Sequence, residues 1–172
     1  DLDTNKSVLS CVCKMSSNES HTLQAKLYDP QGNIVWNGNM QDTFEIPVEN
    51  TCLWNSEFPN LYQLELVLYD TNNEIIETIQ EQVGFRKFTL EYGIMKLNGK
   101  RIVFHGINRH EWDPKTGRCL SQEQMEEDIH ILKSLNINAI RTSHYPNNSY
   151  WYKLCDQYGI YVIDEMNLET HG

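Results

Sequence analysis

The sequence predicts a multi-domain β and α/β chain. An immunoglobulin-like β-sandwich spans residues 1–88, and the first three βα segments of a truncated (β/α)8 barrel span 89–172. Three observations carry this. Up to about Phe88 the chain reads as short alternating strands separated by turn residues, with no helical period. From about Thr89 it changes to strand, helix, strand, helix, strand, the βαβ repeat that requires a parallel sheet. Finally, Tyr161-Val162-Ile163 is an apolar strand followed by Asp164-Glu165 and by Glu169-Thr170-His171-Gly172. Functional groups in parallel α/β enzymes sit just beyond the strands' C-terminal ends, so the chain is expected to be a fragment carrying part of an active site.

In the first part, Ser7–Cys13 and Thr22–Tyr28 alternate in character, and Asp29-Pro30-Gln31-Gly32-Asn33 supplies a turn. Ile34–Trp36 and Thr43–Val48 follow as strands. Leu61–Tyr69 is the clearest strand, and Asp70-Thr71-Asn72-Asn73 separates it from Glu74–Val83. Repeated short strands of this kind indicate an antiparallel sandwich.

In the second part, Ile102–Ile107 is expected as a strand. Ser121 with Gln124 forms a capping box, after which Met125, Ile129, Leu132 and Leu135 recur at helical spacing. Asn138–Thr142 is a second strand, Ser149–Tyr158 a helix stopped by Gly159, and Ile160–Ile163 a third strand. A full barrel takes roughly 250 residues, so 89–172 is either a small open sheet or the opening third of a barrel; the carboxylate-rich ending favours the barrel.

Composition narrows the partners. A net charge of −10 argues against nucleic acid and anionic membrane, and 40% hydrophobic content with nine Tyr and four Trp supports packed cores. No apolar run reaches the length of a membrane span. Five Cys without repeated spacing are expected as reduced, buried thiols of a cytoplasmic protein.

Three polar clusters fall at the expected strand ends: Asn108-Arg109-His110-Glu111, Arg141–Pro146, and Asp164-Glu165 through His171. Singly, each has an ordinary structural explanation. Their recurrence at three consecutive strand ends points to one shared pocket. Histidine, arginine and carboxylate together suit a polyhydroxylated substrate, with Trp112, Tyr145 and Trp151 as stacking surface. Glycoside hydrolysis needs two carboxyl groups flanking one bond; adjacent Asp164 and Glu165 point to opposite faces and cannot serve as that pair. Glu169 and His171 are better suited to Mg²⁺ ligation.

These runs, with Trp54–Tyr62 and Val83-Gly84-Phe85-Arg86, closely resemble the family 2 glycoside hydrolases, and most of all the large bacterial β-galactosidases. The resemblance implies a retaining enzyme that removes terminal non-reducing β-D-galactose through a covalent intermediate. It implies galactose-pocket roles for Asn108, His110 and His144, an organising role for Arg141, and Mg²⁺ ligation by Glu169 and His171. It further implies a homo-oligomeric parent. The family's acid/base lies in an Asn-Glu pair on a later strand, with the nucleophile later still. Asn18-Glu19 and Asn73-Glu74 are the Asn-Glu pairs here, and both read as turn residues of the sandwich. The chain alone is therefore expected to be inactive. The alternatives are a non-catalytic sandwich interaction module, or a family 2 β-glucuronidase or β-mannosidase.

Overall fold

A computed structural model describes residues 1–14 and 21–168. The chain divides into two compact units, one formed by Asp1–Trp54 and Asn60–Phe88, the other by Asn55–Pro59 and Thr89 onward.

The first unit is a β-sandwich. Strands β1 (Lys6–Val12) and β4 (Thr43–Glu49) pair antiparallel as one sheet. The other sheet has the order β3 (Ile34–Met40), β2 (Thr22–Tyr28), β5 (Tyr62–Tyr69), β6 (Ile75–Val83), all antiparallel. Strict alternation places Leu23, Ala25 and Leu27 of β2 with Phe44, Ile46 and Val48 of β4 in one core, each of the larger side chains contributing roughly 2 kcal/mol on burial. Tyr62 closes the end of this core. Its ring meets Phe85 edge-on at 5.0 Å, and its hydroxyl accepts from the Cys52 N–H at 3.0 Å. Trp54 is buried beside it, donating its backbone N–H to Phe85 O at 2.8 Å beneath the Arg86 guanidinium.

From Phe88 come three strands of one sheet that the sequence pattern did not indicate, β7 (Phe88–Glu91), β8 (Ile94–Leu97) and β9 (Lys100–Arg101), with β8 and β9 antiparallel. A parallel sheet follows in the order β10 (Gly106–Arg109), β11 (Ala139–Thr142), β12 (Tyr161–Ile163), linked by α1 (Gln122–Ser134) and α2 (Ser149–Tyr158). The expected βαβαβ order is present. The first strand is displaced, however: Ile102–His105 lie outside it and Asn108 and Arg109 lie within it. Two interactions set that register. Asn138 bridges to the incoming segment, donating to Val103 O and accepting from the His105 N–H, while Gly106 packs where an added Cβ would sit 3.3 Å from Ala139.

Helix α1 begins with the reciprocal capping box between Ser121 and Gln124 and buries Met125, Ile129 and Leu132. Helix α2 is capped by Asn148, buries Trp151, Leu154 and Cys155, and ends at Gly159 in the left-handed region. These side chains and Ile140 and Ile160 make the second core. Within this unit the Ser56 carbonyl accepts from Lys133 Nζ and lies where a Cβ on residue 159 would intrude at 2.5 Å.

All five cysteines are free. The expectation of uniformly buried thiols fails: only Cys155 is buried, Cys119 is exposed, and Cys11, Cys13 and Cys52 are intermediate. Desolvation raises the Cys155 thiol to about 12. Among the described residues no helix is long and apolar enough to cross a membrane.

Candidate active site

The register of the parallel sheet sorts the polar clusters into two groups. Asn108 pairs with Arg141 and Arg141 with Ile163, so these three share a face. Arg109 pairs with Thr142 on the opposite face, together with Ile107, Ile140 and Val162. That second face packs against the helices; Ile140 and Val162 belong to the helix-side core.

The first face carries the candidate site. Arg141 sits at its centre. Its Nε donates to Glu165 Oε1 at 2.7 Å, Nη1 donates to Asn108 Oδ1 at 3.2 Å, and Nη2 lies 3.2 Å from His144 Nδ1. The same His144 nitrogen lies 3.2 Å from Glu165 Oε2. His110 stands edge-on to His144 with ring centroids 5.3 Å apart, and Tyr145 lies 6.3 Å from His110. The Ser143–His144 peptide is cis. Asn108, His110, Arg141 and His144 thus form one continuous patch at the ends of β10 and β11, with Glu165 arriving from just beyond β12. Glu165's carboxyl is held below its ordinary value by the Arg141 guanidinium first and by His144 second. It is a clamped carboxylate, suited to fixing its neighbours.

The remaining cluster members go to the other face. Arg109 is buried, donating Nε and Nη2 to Asp128 Oδ2 at 3.1 and 2.8 Å and Nη1 to Asn147 Oδ1 at 2.9 Å. Its guanidinium lies 3.7 Å from the Trp151 ring centroid. Trp151 is fully buried there, so it is unable to stack on a ligand as expected. Glu111, also buried, accepts the Asn148 N–H at the start of α2 with both oxygens. Asp164 accepts from Thr142 Oγ1 at 3.0 Å and from Tyr152 OH at 2.6 Å. Burial and that bond raise the Tyr152 phenol to about 12. Asp164 and Glu165 do diverge as their adjacency predicts, and Thr142 joins them, its hydroxyl also accepting the Glu165 N–H at 2.9 Å. Trp112 and Tyr145 remain at least partly exposed; Arg118 covers the Tyr145 ring at 4.5 Å.

Glu169 and His171 lie outside the described residues. Among the described residues no group of three His, Cys, Asp or Glu side chains is arranged to hold a metal ion. Glu165, which the sequence set aside as half of an unusable carboxylate pair, is the residue that joins the patch together. The available signal was its phase: it lies two residues beyond Ile163, on the face of Arg141 and Asn108.

Two family models cover nearly the whole chain. Residues 2–86 match glycosyl hydrolases family 2, and 88–172 match the TIM barrel domain of glycosyl hydrolases family 2. The chain belongs to glycosyl hydrolase family 2. It is similar to a β-galactosidase of Halalkalibacterium halodurans, 52% identical over 92% of this chain and 16% of that protein. It is also similar to a β-galactosidase of Bifidobacterium adolescentis, 48% identical over 90% of this chain and 15% of that one. Among solved structures, the apo structure of Bacteroides uniformis β-glucuronidase 3 superposes with a TM-score of 0.88 at 26% identity, over 96% of this chain and 21% of that chain. The chain therefore spans about a sixth of the length of these curated relatives.

Proposed function

We propose that these residues supply part of the galactose-binding wall of a retaining β-galactosidase. The observation that carries the reading is the convergence of Asn108, His110, Arg141 and His144 into one patch at the C-terminal ends of parallel strands. The family's activity at the ends of barrel strands supports it, as do relatives named β-galactosidase at 48–52% identity. In this reading the described strands are the opening βα segments of a barrel. The sandwich is an immunoglobulin-like domain preceding it, and the acid/base and nucleophile come from later strands. The guanidinium and amide donate to sugar hydroxyls, and the imidazoles donate or accept. Donors fixed before the substrate arrives need no reorganisation as charge develops at the sugar.

Mg²⁺ belongs to the same proposal. The family resemblance assigns it to Glu169 and His171, a carboxylate and an imidazole beyond the described residues. When bound, the ion would supply positive charge beside the sugar. The free thiols, with Cys119 exposed, support a reducing cytoplasmic setting, and a homo-oligomeric parent remains part of the reading.

A β-glucuronidase is the second reading, favoured by the structural likeness at 26% identity. The higher identity to β-galactosidases argues for galactoside. The deciding assay compares aryl β-galactoside with aryl β-glucuronide hydrolysis by a chain extended to the relatives' length. Galactoside preference is expected, with Arg141→Ala lowering kcat/KM roughly 100-fold, the scale of losing one preorganised donor. The 172-residue chain alone is expected to give no turnover. Glucuronide preference, or an Arg141→Ala variant with full activity, would overturn the proposal.

A further inference from the structure

His144 Nδ1 has two neighbours that ask opposite things of it. Glu165 Oε2, an acceptor, and Arg141 Nη2, a donor, both lie at 3.2 Å. A neutral imidazole nitrogen either donates or accepts. With a bare Nδ1, the ring would accept from Arg141 and turn its lone pair toward a carboxylate oxygen. With a protonated Nδ1, it donates to that oxygen. Arg141 is already anchored through Nε to Glu165 and through Nη1 to Asn108. Glu165 Oε2 has no other donor among the described residues. The carboxylate has the greater need of the proton: a bare Nδ1 would leave Oε2 facing a lone pair without a donor, whereas Arg141 keeps its Nε and Nη1 bonds in either tautomer.

We propose that Glu165 is a positioning residue that holds His144 as the Nδ1–H tautomer and leaves its Nε2 lone pair as a hydrogen-bond acceptor for a substrate hydroxyl. Among the described residues Nε2 has no hydrogen-bond partner. Arg141 and the Asn108 amide provide the neighbouring donors, so the patch offers both kinds of partner that a hydroxyl uses. Thr142 supports the arrangement by accepting the Glu165 N–H, which sets the backbone from which the carboxylate reaches back. The hydroxyl in this inference rests on the glycoside reading above; the tautomer is independent of it.

Long-range ¹H–¹⁵N correlation spectra of the histidine rings, recorded on the labelled 172-residue chain at neutral pH, test the assignment. The His144 signals are identified by their loss in His144→Ala. In the wild type, Nδ1 should show the shift of a protonated ring nitrogen and Nε2 that of a bare one, opposite to the form free histidine favours. In Glu165→Gln the carboxamide N–H₂ can donate to Nδ1, and the two shifts should exchange. Glu165→Asp should retain the wild-type pattern. An Nε2–H pattern in the wild type, or an unchanged pattern in a Glu165→Gln chain with native amide dispersion, would overturn the positioning role. If Glu165→Gln does not fold, the wild-type and Glu165→Asp spectra decide alone. An Nδ1–H pattern found alongside an extended chain that hydrolyses no β-galactoside would sink the galactosidase reading and leave the positioning role supported.

Discussion

One arginine at each of two neighbouring strand positions does opposite work, and strand phase decides which. Arg141 shares a face with Asn108 and remains partly exposed, whereas Arg109 points between the helices and is buried. Both carry the same guanidinium and both pair with a carboxylate. Arg109 satisfies Asp128, Asn147 and the Trp151 ring at once, so it fastens α1 and α2 to β10. Removing Arg109 leaves the buried Asn147 Oδ1 without its donor and opens space over the buried Trp151 ring, together a loss of about 3 kcal/mol. Arg109→Ala should therefore lower the unfolding free energy read from urea denaturation by about that amount, a midpoint shift of roughly 1–2 M. Asp128→Asn should cost about 1 kcal/mol, because Asp128 is 44% exposed and water can replace part of what it gives up. Equal losses in the two variants would mean that Arg109 is held mainly by the carboxylate rather than by Asn147 and the Trp151 ring.

At the scale of elements, the two helices were the most legible because their ends are written in local chemistry. Ser121 and Gln124 are each within hydrogen-bond reach of the other's backbone, and Gly159 adopts the left-handed conformation that ends α2. Ser121→Ala should cost about 1 kcal/mol in urea denaturation by leaving the first turn's N–H groups unpartnered; an unchanged midpoint would mean that water replaces the cap fully. Strands β2, β4 and β5 of the sandwich were legible because each turns buried positions to the core. Strand β6 is exposed along nearly its whole length and was legible only through the turn residues Asp70-Thr71-Asn72-Asn73 that precede it. The short strands β7 to β9 were not. Phe88, Leu90, Ile94 and Met95 are exposed, so burial imposed no alternation on that segment. The displaced start of β10 has a related cause. Val103 and Phe104 are apolar yet exposed, and the true register depends on Asn138 and on contact between Gly106 and Ala139, interactions across more than thirty residues of sequence. Of the candidate site, the residue types at the strand ends were legible and their sorting was not. Reading Arg109 and Glu111 as site residues required only their place in sequence; reassigning them required the register that puts β10 beside β11.

At the scale of the whole molecule, the distribution of charge along strand edges argues for a specific solution behaviour. The outer strand β6 of the sandwich intersperses Glu77 and Glu81 with Ile75, Ile76 and Ile79, and charge on an edge discourages pairing with another chain. The parallel sheet lacks that protection. Its outer strands are β10 and β12, and β12 is Tyr161-Val162-Ile163 with no charged residue. Ile163, Met166 and Leu168 are exposed beside it, and Val103, Phe104 and Ile107 are exposed near β10. Opposing association is the net charge of −10. At physiological ionic strength the Debye length is about 8 Å, so this repulsion is largely screened while apolar contact is not weakened. The 172-residue chain should therefore self-associate reversibly, and more strongly as salt is raised. Sedimentation velocity across a concentration series at low and high salt reads this directly. Ile163→Lys should shift the equilibrium toward monomer, since it places a charge beside the unprotected edge. Glu77→Gln should leave it unchanged if the sandwich edge takes no part. A chain that stays monomeric up to millimolar concentration at both salts would show that the exposed apolar side chains around β10 and β12 do not act as a sticky edge.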